Sequence, residues 1–302
     1  MAKNIKKILI VGGTGFIGYH LAKKCLKKKW SVVSFSKNFP KKKRYLHKVK
    51  YITGDLFIKK NLKSLSQKFD YAVNLGGYVD HKNKVKTFNS HYIGCKNLSN
   101  FLLKKNIKAF VQIGSSGEYG TLKSPQKENS ICRPKSIYSQ AKFFATKYLL
   151  NLYKKKKFPV TILRLYQAYG PRQDINRFIA IVIDACIKNK EFPCSDGKQF
   201  RDFIHVDDVV EAIFKSLANK NAKGEIINIG SGSPQKIKDV INYLVHRIKR
   251  GNPQFGKLKL KKEETLKIYP NISKAKKILR WSPKVKFSKG LIETIRYFKK
   301  NP

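Results

Sequence analysis

The sequence predicts an α/β protein: a doubly wound parallel sheet followed by a smaller C-terminal lobe. Strand-like and helix-like segments alternate through the first half, as they do in a parallel sheet covered by helices on both faces. The strand-like segments are near-continuous apolar runs such as Lys7-Ile-Leu-Ile-Val11, the pattern of strands buried on both sides. The first of them runs directly into Gly12-Gly-Thr-Gly15-Phe16-Ile17-Gly18 at the mouth of a helix. There Gly12 permits the tight turn, Gly15 lets backbone approach a phosphate, and Gly18 allows close packing of helix on strand. The free N–H groups of the helix start face an anion. A dinucleotide pyrophosphate, touched by Gly12, Gly15, Phe16, Ile17 and Gly18, is therefore the expected ligand of this loop.

In chain order, strands are expected at 7–11, 31–36, 49–53, 71–75, 109–113 and 160–165. The most distinct helices are expected at 17–28, 89–104 and 136–153. After Leu165 the rhythm changes, because Gly170-Pro171 and Phe192-Pro193 interrupt short helical pieces. Residues 1–165 are expected to form the dinucleotide-binding domain, with the chain returning to it at about 200–225, and 166–199 with 226–302 to form the smaller lobe.

A chain of 302 residues with 41% hydrophobic content can bury a substantial core. The N-terminal residues lead straight into the first strand without an apolar stretch suited to a signal peptide or membrane span, so a cytoplasmic protein is expected. The five cysteines are scattered and lack Cys-x-x-Cys spacing, which predicts reduced thiols and no metal site. The net charge of +48 invites a polyanion partner. Yet only ten of the 66 basic residues are arginine, the side chain suited to bidentate readout, and the lysines are spread over most surface segments without interleaved aromatics. No specific nucleic acid is expected, and the charge is read as a lysine-rich composition that steers anionic ligands.

Tyr138 and Lys142, in Pro134-Lys-Ser-Ile-Tyr138-Ser-Gln-Ala-Lys142, lie four residues apart and share one helical face. Ser115 ends another apolar strand 23 residues upstream. With these residues beside the glycine run, the chain resembles the extended short-chain dehydrogenase/reductases, the NAD(P)-dependent epimerase/dehydratase family that acts on nucleotide sugars. The resemblance extends nearly end to end, through Arg201-Asp-Phe-Ile-His-Val-Asp-Asp208, Leu279-Arg-Trp281-Ser-Pro283 and the amphipathic segment Gly290 to Phe298. It implies a Rossmann-type sheet and a C-terminal lobe that grips a nucleoside diphosphate sugar. It also implies a homodimer joined through the helices at 89–104 and 136–153.

Tyrosine is a poor acid-base catalyst at its reference pKa of about 10, so a nearby cation is needed, and Lys142 supplies one. Ser115 is expected to hold the reacting oxygen and share its proton with Tyr138, with Ser116 as a second candidate. The acidic pair that performs elimination in the family's dehydratases is replaced here by Ser116 and Gly117, which disfavours dehydration. Glu118 stands where similar keto-sugar reductases carry it, as a substrate residue or as a merely structural carboxylate. Ser36 ends the second strand where NAD-preferring relatives carry an aspartate. With Lys37 and the run Lys41 to Arg44 nearby, NADP is favoured as cofactor and NAD is the alternative.

The resemblance places Asp55 against the adenine amino group, with Leu56 beside it. Arg201 is placed on the substrate diphosphate, and Tyr166 and Gln167 in the pocket beyond the nicotinamide. Gln167 and His91 each replace an expected asparagine, and His205 is read as a packing residue. The leading functional reading is NADPH-dependent reduction of a 4-keto-6-deoxy nucleotide sugar, and the alternative is an NAD-dependent 4-epimerase. A reading from another class, a non-catalytic dinucleotide-binding regulator or RNA-binding relative, rests on the charge. Against it stands the retained set Ser115, Tyr138 and Lys142.

Overall fold

Residues 7–11 feed two cores at once. Side chains alternate across a strand, so Ile8 and Ile10 enter one buried cluster while Leu9 and Val11 enter another. That is why the run is apolar throughout. The structure is a computed structural model that describes residues 5–78, 80, 82–260 and 265–301. In it β1 (Lys7–Val11), α1 (Phe16–Lys27), β2 (Ser31–Ser36), β3 (Val49–Thr53) and β4 (Tyr71–Asn74) are followed by α2 (Lys84–Phe88), a π-helical turn at Asn89–Ile93 and α3 (Gly94–Leu103). β5 (Ala109–Ser115), α4 (Ile137–Lys156) and β6 (Val160–Leu165) complete the first half.

The second half contributes β7 (Gln167–Tyr169), α5 (Phe178–Ile187), β8 (Glu191–Pro193), β9 (Phe200–Arg201), β10 (Phe203–His205) and α6 (Val206–Ala218). β11 (Ile226–Ile229), β12 (Gln235–Lys236), α7 (Ile237–Ile248), β13 (Asn252–Gln254), β14 (Lys267–Ile268), α8 (Ser273–Leu279) and α9 (Phe287–Lys300) follow.

The central sheet has seven parallel strands in the order β11-β6-β5-β4-β1-β2-β3. Residues of α1 and α6 cover one face (Leu21, Cys25, Val209, Ile213) and residues of α3 and α4 the other (Leu98, Leu102, Ala145, Leu149). Burying each leucine, isoleucine or valine among them stabilises the fold by roughly 2 kcal/mol. The chain moves outward from β1 to β3 and then crosses back to β4, so the strand order reverses between β1 and β4. Open α/β sheets bind ligands at the carboxyl ends of the strands flanking such a reversal. A third cluster, with Ile183 of α5, Leu244 of α7 and Ile295 of α9, forms the core of the smaller lobe.

Three details depart from the sequence reading. The helix expected at 89–104 begins earlier, at Lys84, and passes through the π-helical turn before α3. The return to the sheet, expected to end near 225, continues through β11, because the apolar run Ile226–Ile229 pairs in parallel with Ile162–Leu165. The segment around Trp281 packs on the first domain rather than only on the second lobe. Ala275, Leu279 and Trp281 belong to the α1/α6 core, and the Trp281 indole donates to the Asp208 carbonyl at 3.1 Å.

Among the described residues no helix is long and apolar enough to cross a membrane, and no group of three or more His, Cys, Asp or Glu side chains is arranged to hold a metal ion. The five cysteines are free thiols.

Candidate active site

A cleft of about 1170 Å³ opens along the carboxyl ends of the central strands. Its floor is the glycine loop. Gly12 adopts φ +77°, which side-chain-bearing residues rarely take, and a Cβ on Gly18 would lie 2.2 Å from the Gly12 carbonyl oxygen. Helix α1 starts at Gly15 with no side-chain cap and no acidic residue in its first turn. Its first N–H groups therefore have no intrahelical acceptor and carry the positive end of the helix dipole. That cradle fits the pyrophosphate of a dinucleotide.

Along the cleft wall stand Gly12, Gly15, Phe16, Ile17, Gly18, Ser36, Lys37, Asp55, Leu56, Ser115, Ser116, Tyr138, Lys142, Tyr166 and Gln167. At the outer end, Ser36 Oγ accepts from the Thr14 amide at 3.4 Å. Lys37 is held by Asp55, with Nζ 3.3 Å from Oδ2. Asp55 Oδ1 also accepts from the Phe57 amide at 3.0 Å. Arg44, grouped with Lys37 in the sequence reading, is not available there. It is buried, and Nη2 donates to the Arg172 carbonyl and, at 2.9 Å, to Asp174.

The catalytic candidates come from two elements. Ser115 ends β5 and caps the short turn Ser116–Tyr119, its Oγ accepting from the Gly117 amide at 3.1 Å. Ser136 caps α4 by accepting from the Ser139 amide at 3.2 Å, which sets the helical phase that turns Tyr138 and Lys142 to the cleft. Lys142 is buried, and its Nζ donates to the Ile113 carbonyl at 2.8 Å while standing 5.9 Å from the Tyr138 ring centroid.

Two expected substrate residues are not in the cleft lining. Glu118 is 0% exposed: Oε1 accepts from the Ser115 amide at 2.9 Å, and Oε2 accepts from Thr146 Oγ1 at 2.9 Å and Arg164 Nε at 3.0 Å. A buried carboxylate needs such donors, and Glu118 holds the Ser115 turn in place. Arg201 is buried in the small β12-β9-β14 sheet, with Nη1 donating to the Phe200 carbonyl at 2.8 Å. Tyr166 does reach the cleft, but its hydroxyl donates to Gln126 at 2.7 Å and burial pushes its ionisation upward. His205 caps α6, and burial lowers its pKa below the ordinary histidine value, in keeping with a packing residue.

Sequence reasoning missed two stretches of the lining. Gly76, Gly77 and Tyr78 follow β4 at the strand reversal, where the Gly-Gly pair was a readable signal. Gln173, Asn176, Arg177 and Phe178 arrive from the second lobe, and nothing local in their segment announces a site. His91, noted only as a departure from asparagine, also lines the cleft.

The profile of the NAD dependent epimerase/dehydratase family matches residues 8–230. The UDP-N-acetyl-alpha-D-glucosaminuronate decarboxylase of Bacillus cytotoxicus is 28% identical over 97% of this chain and 98% of its own length. Among solved structures, the UDP-glucose 4-epimerase of Thermotoga maritima with UDP-glucose superposes with a TM-score of 0.92 at 25% identity, over 97% of this chain and 99% of that one. The UDP-glucuronic acid 4-epimerase of Bacillus cereus, in complex with UDP-glucuronic acid and NAD, superposes with a TM-score of 0.88 at 26% identity over the same shares.

Proposed function

This chain belongs to the NAD dependent epimerase/dehydratase family of enzymes, and from that premise we propose that it is a nucleotide-sugar 4-epimerase working with a resident NAD. The observation that carries the reading is the turn after Ser115. An elimination needs a second acid-base group there, but the two positions are Ser116 and Gly117. A Cβ on Gly117 would lie 2.6 Å from Ser139 Oγ, and the next carboxylate, Glu118, is turned inward onto Arg164. What is left is equipment for moving one proton.

A dinucleotide held on the glycine loop would supply the hydride acceptor for C4 of the sugar and the donor that returns the hydride to the opposite face of the resulting ketone. Tyr138 removes the proton of the C4 hydroxyl as that carbon is oxidised and gives it back on the return step. Ser115 holds the same oxygen by hydrogen bonding. Lys142, anchored on the Ile113 carbonyl, puts a fixed positive charge beside Tyr138 and offsets the negative charge its oxygen carries before it accepts the proton and after it returns it.

NAD is favoured over NADP because the solved 4-epimerase of Bacillus cereus holds NAD and because Arg44, the arginine of the basic run after β2, is taken up by the Arg172–Asp174 segment. A UDP-hexose is favoured as substrate by what the solved epimerases hold. One observation favours the second reading, an NADPH-dependent 4-keto reductase: Ser36 places no carboxylate at the end of β2 to repel a 2′-phosphate. The assay that separates them supplies UDP-glucose without added cofactor and follows its C4 epimer by NMR. Conversion is expected. No epimer, together with stoichiometric NADPH oxidation on a 4-keto-6-deoxy nucleotide sugar, would replace this reading with the reductase. We also propose a homodimer through α2, α3 and α4, where Val85 and Phe144 are exposed; a monomer in size-exclusion chromatography with light scattering would contradict it.

A further inference from the structure

Two groups fixed by the fold stand beside Tyr138: Lys142, its Nζ 5.9 Å from the ring centroid, and His91, in the π-helical turn that interrupts the helix between α2 and α3. The centroids of the His91 and Tyr138 rings are 4.9 Å apart and their planes meet at 83°, an edge-to-face contact. His91 is itself fixed. Its Nε2 lies 3.2 Å from the Tyr78 carbonyl oxygen, which can only accept, so that nitrogen carries the hydrogen. Behind it, a Cβ on Gly77 would fall 1.9 Å from His91 Cε1, so the imidazole occupies a slot that exists because residue 77 has no side chain. The residue as a whole is 6% exposed.

An aromatic ring pinned by a hydrogen bond and a backbone slot, with a π-helical turn aiming it at the proton-transferring residue, is a device for orientation. We propose that His91 is a positioning residue for Tyr138: it holds the phenol at the angle from which its hydroxyl meets the C4 oxygen of the sugar. The inference rests on Tyr138 being the proton-transfer group, as proposed above. Small misplacements of a reacting group reduce turnover by up to about a hundredfold, and that is the scale on which His91 acts.

The test is a double-mutant cycle on epimerisation of UDP-glucose with His91→Ala, His91→Gln and Tyr138→Phe, read alongside NAD affinity and melting temperature. Gln retains an N–H donor for the Tyr78 carbonyl but has no ring. Both His91 variants are expected to lower kcat by about ten- to a hundredfold with KM and NAD affinity unchanged, and to cause no further loss in the Tyr138→Phe background. Full activity in His91→Gln, or a loss that adds to that of Tyr138→Phe, would overturn the proposal and leave His91 a loop anchor. Activity retained in Tyr138→Phe alone would instead overturn the underlying reading. A measurement without substrate guards the case in which UDP-glucose is not turned over. The ring signals of Tyr138 in 13C-tyrosine-labelled protein, assigned by their loss in Tyr138→Phe, should shift in His91→Gln while those of other tyrosines hold still. Unmoved Tyr138 signals would contradict the contact itself.

Discussion

The two walls of the cleft are built in opposite ways. The wall that belongs to the central sheet is made of residues the fold cannot release. Lys142 is buried on the Ile113 carbonyl, the Ser115 turn is clamped by Glu118 and Arg164, and Gly12 and Gly18 are held within contact of each other. The wall that belongs to the second lobe carries exposed residues, Gln167 of the short strand β7 and Asn176 and Arg177 of the segment before α5. Chemistry is the same for every substrate of such a site and gains from rigid placement, whereas selection among sugars is the work of residues that can change without disturbing the core. Under the proposed function, the first wall would carry the mechanism and the second the specificity.

The largest expected effect comes from breaking the first wall at its clamp. Glu118→Gln leaves the Arg164 guanidinium buried beside a neutral amide, and removal of one partner from a buried pair costs on the order of 3–5 kcal/mol. Urea denaturation should register that loss. If stability holds and only KM changes, Glu118 is a substrate residue after all. Next, Tyr138→Phe removes the hydroxyl that accepts and returns the proton, so turnover should fall by a factor on the order of 10² or more. Its melting temperature and NAD titration should match those of the unaltered chain, and near-normal turnover would refute the role of Tyr138.

A smaller effect tests the join between the walls. His20 of α1 reaches across to the Pro171 carbonyl at 2.9 Å, and burial lowers its pKa to about 4. The unfolded chain takes up this proton below about 6.5, while the folded chain does so only near 4. The contribution is thus fully present above about 6.5 and is lost as pH falls toward 4. Stability at pH 5 should be about 2 kcal/mol lower than at pH 7 from this group, and His20→Gln should flatten that part of the profile. Equal slopes in the two proteins would show that His20 is not the titrating group. The smallest effect belongs to the second wall. Gln167→Ala and Arg177→Ala should change stability by no more than about 0.5 kcal/mol and raise KM for the nucleotide sugar by up to about tenfold with kcat retained.

The same division explains what was legible in the sequence. The glycine run, the Tyr138/Lys142 spacing and the strand-end position of Ser115 are local patterns, and β1 and β5, which lead into the glycine run and Ser115, are mostly apolar, so the sheet and the first wall were readable without the structure. Glu118 was readable only as a choice between a substrate residue and a structural carboxylate, and the burial of Arg44 was not readable at all. Both are polar residues next to a site, and only their partners, Arg164 and Thr146 for one and the Arg172–Asp174 segment for the other, reveal that the fold has claimed them. Those partners lie 28 or more residues away in sequence. The second wall was hidden for a related reason: Gln173, Asn176 and Arg177 acquire meaning only when the second lobe is laid against the sheet. The extra turn that aims His91 at Tyr138 leaves no mark in helical periodicity, which continues on either side of it.

The most direct test of the central claim, that one site oxidises and re-reduces the same carbon, uses UDP-glucose carrying deuterium at C4. The account predicts a C4 epimer that retains the deuterium at C4 in the absence of added cofactor, at a rate that collapses in Tyr138→Phe. An epimer that has lost the label to the medium, or no epimer at all, would contradict it.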